Sequence, residues 1–312
     1  MLPTSSRVVV GAGDDCAVLD LGEPGMHGLF KTDAVVEGVH FTQDIAPRRV
    51  GHKALARCLS DIAAMGGEAT AAVITLALPG LDPLAEAEWA TQAYEGLTAL
   101  AAQSGVAVVG GETTRNPGAI LLSIAVLGRV PAGTALLRSG ARAGDAIFVS
   151  GELGGSLSGH HLDFIPRLAE GRWLRASGQV HALMDVSDGL AGDLPHLLAA
   201  SGQLGAILFK STLPIRQAAR LRARTGDTAK PAHLAALTDG EDFELLFTVA
   251  PGDAVRLRDG WKEQFPDVRL SCIGKVTSTP GVRLRDEHGE RVLSSGGFDH
   301  FAQRPGAAVN AN

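Results

Sequence analysis

The segment 182–193, with the sequence ALMDVSDGLAGD, constrains the fold of this chain more than any other stretch. An apolar run delivers Asp185, Ser187 and Asp188 follow it, and a glycine then turns the chain into an apolar helical pattern over 190–200. A strand that ends in carboxylates and opens a helix can hold a hard cation, which prefers oxygen ligands, or a phosphate at the helix start. A capped polar turn gives the same pattern, so the interpretation depends on whether the pattern recurs.

Acidic residues also end strands or turns in the first half of the chain, and glycine or an apolar run flanks most of them. Carboxylates at the ends of strands can converge at one crevice of an α/β sheet. Several carboxylates in one crevice repel each other unless cations lie between them, and Mg²⁺ binds carboxylates together with nucleotide phosphates. The sequence therefore predicts a site for Mg²⁺ and a nucleotide, built from Asp14, Asp15, Asp33, Asp61 and Glu112.

The size and composition predict an α/β (α+β) protein of two domains. A chain of 312 residues suits two cores of roughly 150 residues each. Strand and helix patterns alternate in both halves, and we place the boundary near 131–134, which gives domains 1–133 and 134–312. The helical patterns cover about 47–65 and 82–103, a helix is expected to open at 151–156, and the clearest strand patterns are 71–78, 120–130, 146–149, 243–249 and 273–276.

Charge and hydropathy exclude several classes of protein. The net charge is −6 and no Lys/Arg cluster predicts nucleic-acid binding. No apolar run reaches the length of about 20 residues that spans a bilayer, and no signal-peptide core opens the sequence, so we expect a cytoplasmic protein. The widely spaced Cys16, Cys58 and Cys272 favour reduced, buried thiols over a zinc site or disulfides.

Glycine-rich stretches offer a second kind of phosphate contact. Residues 110–111 and 151–155 can present backbone N–H groups to phosphate oxygens, although glycines also simply make turns. The sequence contains no GxxxxGK[ST] loop and no protein-kinase HRD or DFG motif, so any nucleotide chemistry would use another fold. The acidic segment 239–246 enters a predicted strand, and either a solvated strand end or a substrate contact would explain it.

Taken together and in order, these segments resemble the thiamine-monophosphate kinase family, which belongs to the superfamily of aminoimidazole ribonucleotide synthetase. Each match is short, but the ordered set covers nearly the whole chain. The matching segments are GDDCAV at 13–18, TDAVVEGVHF at 32–41, KALARCLSDIAAMG at 53–66, GGETT at 110–114, RSG at 138–140, DVSDGL at 185–190, GEDFEL at 240–245 and GFDHF at 297–301.

The resemblance implies transfer of the γ-phosphoryl group of ATP directly onto the phosphate of thiamine monophosphate, aided by several Mg²⁺ ions and without a phospho-enzyme. Such an acceptor is already an anion, so catalysis would consist of alignment and charge neutralisation. The resemblance also implies an N-terminal mixed sheet with flanking helices that pairs across a homodimer, with the nucleotide site near the interface. A C-terminal mixed α/β domain would complete the site.

The resemblance assigns roles to individual residues. Those expected to hold Mg²⁺ are Asp15, Thr32, Asp33, Asp61, Glu112, Asp185 and Asp188, of which Asp33, Asp185 and Asp188 would form the catalytic centre. The expected ATP contacts are Tyr94, Gly111, Arg138 and Ser187. The expected thiamine monophosphate contacts are His40, Glu241 and Phe298.

The chain departs from the family pattern in four places. Glu112 stands where the family usually has Asp, and Lys31 stands where Ser or Thr is common. The start before the first strand is short, and the segment 158–181 is compact. Two alternatives stay open: another ATP-dependent enzyme of the superfamily, such as one resembling selenophosphate synthetase or the hydrogenase-maturation enzyme, and a catalytically silent nucleotide-binding protein. The first would usually carry a reactive cysteine in the N-terminal glycine loop or at the C-terminus, which this sequence lacks.

Overall fold

The structure, a computed structural model, describes residues 5–225 and 230–293. These residues form two mixed β-sheets with helices packed against them, which confirms the predicted α/β class. The elements of the first half are β1 (Val8–Val10), β2 (Ala17–Leu19), β3 (Met26–Val36), α1 (Pro47–Ala64), β4 (Glu68–Leu78), α2 (Pro83–Ser104), β5 (Ala107–Arg115) and β6 (Leu121–Pro131).

The second half contributes seven strands and six helices within the described ranges. They are β7 (Ala146–Ser150), α3 (His160–Asp163), α4 (Leu168–Ser177), β8 (Val180–Val186), α5 (Leu190–Ala200), β9 (Gly205–Phe209), α6 (Gln217–Arg222), α7 (Ala232–Thr238), β10 (Glu244–Val249), α8 (Ala254–Gln264), β11 (Leu270–Thr277), β12 (Gly281–Asp286) and β13 (Gly289–Val292). The prediction that a helix begins at 151–156 is wrong. The glycines there lead instead into a single 3₁₀ turn, Ser156–Ser158, which is followed by the one-turn helix α3.

Each sheet combines one parallel pair with antiparallel neighbours. The first sheet has the order β1-β2-β3-β6-β4-β5, and its parallel pair is β4–β5, which α2 connects. The second has the order β13-β12-β9-β11-β7-β10-β8, and its parallel pair is β9–β12. Strand β5 is therefore a free edge of the first sheet in the described chain, whereas β8 is the edge of the second sheet nearest α1.

Helix α1 lies between the two sheets and is buried on nearly every side. It packs against β3 and β6 of the first sheet and against β8 and α4 of the second half. Pro47 suits the first turn of this helix, and Gly66, at φ 65°, ends it in the left-handed conformation. A helix that is buried all round presents polar residues only to partners inside the protein, so Lys53, Ser60 and Asp61 must all find partners there.

One hydrophobic core joins the two halves. It contains Leu55 and Leu59 of α1, Ile124 of the first sheet and Phe247 of the second. In the sequence, the strands of the first sheet precede residue 133 and those of the second sheet follow it. Both sheets nevertheless pack on α1 and share this core. The division into domains 1–133 and 134–312 therefore stays a prediction.

Candidate active site

Three buried carboxylates from distant parts of the chain meet beside α1. Asp15 follows β1, Asp61 lies in the last turns of α1, and Asp185 lies near the end of β8. One oxygen of each lies within 4.8 Å of the others. We call this group the carboxylate corner. Three of the acids that were predicted to lie in one site are therefore close together in the structure.

The carboxylate corner carries more negative charge than its burial favours. The pKa of Asp15 is raised to about 7, mainly by burial and also by the charge of Asp185, although Arg138 opposes the shift. Burial is also the main reason that the pKa values of Asp61 and Asp185 are raised. Within the described residues, Asp15 Oδ2 is buried and has no hydrogen-bond partner. An orphaned oxygen among clustered carboxylates is the donor set that a hard divalent cation requires, so the corner fits Mg²⁺.

Two basic side chains already neutralise part of this charge. Lys31 Nζ lies 2.9 Å from Asp61 Oδ1, and Arg138 Nε donates to Asp15 Oδ1 at 3.0 Å. Burial alone would lower the pKa of Lys31, but Asp61 and Asp33 raise it well above its usual value. Ser60 Oγ donates to Asp185 Oδ2 at 2.6 Å and orients that carboxylate.

Asp33 lies next to the carboxylate corner, on the same face of β3 as Lys31. Lys31 Nζ lies 3.9 Å from Asp33 Oδ1. Thr32 stands between them in the strand, so its exposed side chain points to the opposite face of the sheet. The structure therefore brings Asp33 to the corner but not the hydroxyl of Thr32.

Residues Tyr94, Gly111 and Glu112 lie at a different place, which we call the β5 edge. Glu112 is exposed on β5 and pairs with Thr75 of β4, and two strands separate β5 from β3. At about 4.8 Å per strand, this puts Glu112 roughly 14 Å from β3. Tyr94 lies half-buried on α2, which packs against α1 and β5. Within one chain, the structure therefore does not bring the predicted metal ligand Glu112, or the predicted ATP contacts Tyr94 and Gly111, to the carboxylate corner.

Tight backbone contacts fix the β5 edge. A Cβ atom at Gly111 would lie 1.8 Å from the carbonyl oxygen of Ile74, so only glycine fits there. The close contact between α1 and α2 likewise requires glycine at positions 51 and 96. A Cβ atom at Gly51 would lie 1.8 Å from the carbonyl oxygen of Ala93, and one at Gly96 would lie 1.8 Å from that of Arg48. These contacts set the position of α2, and with it that of Tyr94.

The turn after β8 places Ser187 and Asp188 beside the segment that carries Glu241. Asp188 N–H donates to the buried Asp193 at 2.9 Å, and the carbonyl of Ser187 accepts from Glu241 N–H at 2.6 Å. Gly189 starts α5 at φ 94°, with no room for a side chain against the carbonyl of Asp239. Both predicted residues therefore lie two and three positions after Asp185, in a turn held by one backbone hydrogen bond and by the Asp193 carboxylate.

Glu241 faces α1 and is held by a buried lysine. Lys53 Nζ donates to Glu241 Oε2 at 2.7 Å and to the carbonyl of His40 at 2.6 Å. Burial lowers the pKa of Lys53 to about 8, although Glu241 opposes this shift. His40 Nδ1 accepts from the N–H of Val36 at 3.1 Å. The two described residues predicted to contact the substrate therefore meet at Lys53, while Phe298 lies outside the described residues.

Sequence reasoning missed three polar residues of α1 that take part in this arrangement, namely Lys53, Arg57 and Ser60. A usable signal was present, because Lys53, Arg57 and Asp61 are four residues apart and so share one face of the helix. Ser60 precedes Asp61 and reaches the same carboxylate corner from the adjacent face.

The other acids of 239–246 pair with basic side chains of the same chain. Asp242 pairs with Arg216, Asp239 with Arg222 and Lys230, and Glu244 with Arg167. Gly154 and Gly155 donate their N–H groups to Asp242 and Asp239, and Gly151 N–H donates to the carbonyl of Arg269. The expectation that this glycine stretch presents free N–H groups to a phosphate is therefore wrong for these three donors.

Comparison with known proteins identifies the family. Residues 13–130 match the family described as AIR synthase related protein, N-terminal domain. The thiamine-monophosphate kinase of Rhodopirellula baltica is 39% identical over 300 residues, with 93% of this chain and 91% of that protein covered. The chain belongs to the thiamine-monophosphate kinase family. The enzyme of Escherichia coli K12 is 34% identical and covers 96% of this chain and 94% of its own length.

Solved structures agree with this membership, which the sequence motifs had indicated. The structure described as "AaThiL complexed with AMPPCP and TMP" has a TM-score of 0.79 at 28% identity and covers 95% of this chain and 93% of that one. Thiamine-monophosphate kinase from Stenotrophomonas maltophilia has a TM-score of 0.75 at 33% identity, with 89% and 91% covered. The hydrogenase maturation protein HypE of E. coli, at 22% identity and a TM-score of 0.73 over 96% and 95% of the two chains, shares the fold alone.

Proposed function

We propose that this chain transfers the γ-phosphoryl group of ATP to thiamine monophosphate and forms thiamine diphosphate. The observation that carries this proposal is the carboxylate corner, with its orphaned buried oxygen, in a member of the thiamine-monophosphate kinase family. A related structure carries AMPPCP, an ATP analogue, together with TMP, which we take as thiamine monophosphate. The corner supplies acidic ligands for metal ions, and an oxygen of the acceptor phosphate would itself attack the γ-phosphoryl group.

The residues that would hold Mg²⁺ are Asp15, Asp61 and Asp185, with Asp33 beside them. Bound there, Mg²⁺ would neutralise the charge of the nucleotide phosphates. We propose further that Asp188 joins this set from the turn after β8. Thr32 would contribute its backbone carbonyl rather than its hydroxyl, because its side chain points to the other face of β3.

Protein groups around the corner orient the reactants. Ser60 fixes Asp185, and Arg138 fixes Asp15. The Arg138 side chain is only partly buried, so we assign it a second contact, to the nucleotide phosphates. Ser187 would contribute through the turn that it shares with Asp188. The acceptor phosphate is already anionic, so positioning in a largely dry site is the main task of these groups.

Thiamine monophosphate, the acceptor, would bind beside Lys53, Glu241 and His40, a group that we call the acceptor side of the site. Glu241 offers a carboxylate to the polar edge of the thiamine rings, and Lys53 holds that carboxylate in place. His40 lies at the same point through its carbonyl, which Lys53 also contacts. We keep Phe298 as a proposed ring contact on the strength of the family resemblance.

We propose that one face of the first sheet binds a second copy of the chain. Its open face exposes Phe30, Val73 and Leu127, whose exposed fractions are 47%, 43% and 37%, and β5 leaves a free edge. Such a face favours burial against another surface. We propose a homodimer in which this face is covered and the β5 edge, with Tyr94, Gly111 and Glu112, lies near a nucleotide site.

We also propose a cytoplasmic location. Cys16, Cys58 and Cys272 are all free thiols, which suits a reducing compartment. No helix in the described ranges is both long and apolar enough to cross a bilayer.

The test is a product assay with purified protein, ATP, Mg²⁺ and thiamine monophosphate, in which thiamine compounds are resolved by chromatography and ADP is measured in parallel. The proposal predicts thiamine diphosphate and ADP in equal amounts. Unchanged ATP in the presence of bound nucleotide would instead support the silent nucleotide-binding protein, and ADP without thiamine diphosphate would point to another acceptor within the superfamily.

A further inference from the structure

Arg57 occupies a central place in the site, and the proposed function has not yet given it a role. It lies on α1, one turn after Lys53 and one turn before Asp61. Its Nε atom lies 3.9 Å from Asp33 Oδ2, and its Nη1 atom lies 3.9 Å from Glu241 Oε1. The side chain is only 13% exposed. Arg57 thus stands between the metal side and the acceptor side of the site.

Both of these guanidinium nitrogens lack a hydrogen-bond acceptor among the described residues. Arg57 Nε and Nη1 are buried and unpartnered, and separations of 3.9 Å are too long for hydrogen bonds. The neighbouring basic groups differ in this respect. Lys53 donates to Glu241, and Arg138 donates to Asp15. Buried donors without acceptors destabilise a fold, so the pair on Arg57 points to an acceptor that arrives with a ligand.

The segment opposite Arg57 is held in a strained backbone conformation. Glu241 and Phe243 have φ values of 65° and 52°, in the left-handed region that non-glycine residues rarely adopt. The Phe243 ring centre lies 6.0 Å from Arg57 Cζ, and Phe243 in turn stacks on Phe164 at 4.2 Å. Strain of this kind persists where the surroundings impose it, often at ligand sites. Here it places an aromatic ring and a carboxylate beside the guanidinium, which limits its movement.

We propose that Arg57 binds the phosphate of the acceptor, which is the phosphate that receives the γ-phosphoryl group. This inference rests on the proposed function. An acceptor phosphate must lie between the nucleotide metals, near Asp33, and the thiamine rings, near Glu241, and Arg57 is the residue placed between these two carboxylates. A guanidinium suits a phosphate because its N–H groups can donate to two oxygens at once.

The inference makes Arg57 a specificity residue. Thiamine monophosphate and thiamine share their rings and differ by the phosphate, so a phosphate contact favours the first ligand only. Arg57 should therefore account for much of the preference of the site for the phosphorylated acceptor. It should leave nucleotide binding nearly unchanged.

The experiment measures the dissociation constants of thiamine monophosphate and of thiamine by calorimetry, in the presence of Mg²⁺ and AMPPCP. It compares the wild-type chain with two variants. Arg57→Met removes the charge, and Arg57→Lys keeps the charge but loses the pair of N–H groups that can donate to two phosphate oxygens at once. Arg57→Met should weaken thiamine monophosphate binding by about 50-fold, as for loss of a charged hydrogen-bonded contact. Thiamine binding and the KM for ATP should change by less than about twofold. Arg57→Lys should fall between the wild type and Arg57→Met.

Arg49→Met is the matched control, because Arg49 lies on the same helix but pairs with Asp163, away from the carboxylate corner. Circular dichroism and thermal melting verify that each variant is folded. Equal weakening of both ligands in Arg57→Met, or undiminished binding of thiamine monophosphate, would overturn the inference while wild-type activity leaves the proposed function intact. A wild-type chain that neither binds nor phosphorylates thiamine monophosphate would instead overturn the proposed function itself.

Discussion

The carboxylate corner and the β5 edge both carry residues that the family resemblance assigns to one site, but the chain builds them differently. In the corner, Asp15, Asp61 and Asp185 are buried and close together, and Lys31 and Arg138 contact them. On the β5 edge, Glu112 is exposed and two strands separate it from β3. In a single chain, three of the predicted metal ligands therefore lie together in the corner, whereas Glu112, another predicted ligand, lies apart from them at the β5 edge.

The difference follows from where each group lies in the fold. The corner forms where α1 passes between the two sheets, so its three carboxylates are buried and basic side chains of the same chain balance part of their charge. Strand β5 pairs with β4 on one side only, and its other side has no neighbouring strand in the described chain, so its residues can meet a partner without any change inside the protein. A second copy of the chain, rather than a rearrangement of the chain, would therefore be the simplest way to bring the two groups together.

The largest expected effect comes from breaking the corner with Asp185→Asn. Loss of one carboxylate should lower the turnover of thiamine monophosphate by about 10²- to 10³-fold. The metal-free melting temperature should stay the same or rise, because one like charge leaves a crowded group. Asp267→Asn, at an exposed turn after α8, is the matched control. A variant with full activity would show that the corner does not take part in the reaction.

The second effect tests the open face of the first sheet. Leu127→Glu places a charge among exposed apolar residues and should raise the dissociation constant of the proposed homodimer by about 100-fold. Light scattering coupled to gel filtration measures the change from dimer to monomer mass. Val255→Glu, at an equally apolar exposed position on α8, should leave the mass unchanged. Mn²⁺ binding at the corner should persist in the monomer. A wild-type chain that is already monomeric would contradict the proposed use of the β5 edge.

The sequence predicted the corner better than the edge for a physical reason. Asp15, Asp61 and Asp185 each adjoin apolar segments, and burial of those segments draws the carboxylates inward together. Thr32 and Asp33 are neighbours in one strand, so strand alternation alone separates their side chains, and this could have been read from the sequence. The edge position of β5 depends on strand order, which Glu112 and its neighbours do not encode locally.

The second half of the chain was harder to predict because its polar residues pair over long distances. Asp242 and Gly154 are far apart in sequence, yet the carboxylate takes the N–H that was expected to meet a phosphate. Asp239 and Glu244 likewise pair with basic side chains that are distant in sequence or in other elements, whereas Glu241 faces Lys53. The unpartnered donors of Arg57 could not be predicted either, since they depend on the distances to Asp33 and Glu241.

A third, smaller effect concerns pH. In the metal-free chain the pKa of Asp15 is raised to about 7, so the folded state holds a proton that the unfolded state releases above about pH 4. The free energy of unfolding should therefore fall as pH rises from about 4 to 7. Mg²⁺ competes with that proton, so its affinity should fall by up to about tenfold per pH unit below 7. Calorimetry at several pH values measures both trends.

A variant of Asp242 can distinguish the pH dependence of stability from that of Mg²⁺ affinity. Burial also raises the pKa of Asp242 to about 7, but this residue pairs with Arg216 and lies outside the corner. Asp242→Asn should reduce the slope of stability against pH and leave the pH dependence of Mg²⁺ affinity unchanged. Asp15→Asn should reduce both. A Mg²⁺ affinity that does not vary between pH 6 and 8 would contradict this assignment.

The smallest effect concerns Lys31, whose ammonium group lies where it competes with a metal for Asp61 and Asp33. Lys31→Met should increase Mn²⁺ affinity by about fivefold, because the carboxylates lose their internal cation. Mn²⁺ titration followed by electron paramagnetic resonance measures this change, and Lys31→Arg, which keeps the charge, is the control. Weaker Mn²⁺ binding in Lys31→Met would mean that the ammonium supports the metal site and does not compete with it.

Locating the bound metal ions tests most directly whether phosphoryl transfer takes place at the carboxylate corner. Crystals grown with Mn²⁺, AMPPCP and thiamine monophosphate give anomalous difference peaks that identify each Mn²⁺ ion and its ligands. We expect peaks bound by Asp15, Asp61 and Asp185, with the nucleotide phosphates on one side and the acceptor phosphate toward Arg57. Peaks only at other carboxylates, or nucleotide bound away from the corner, would contradict the claim that phosphoryl transfer takes place there.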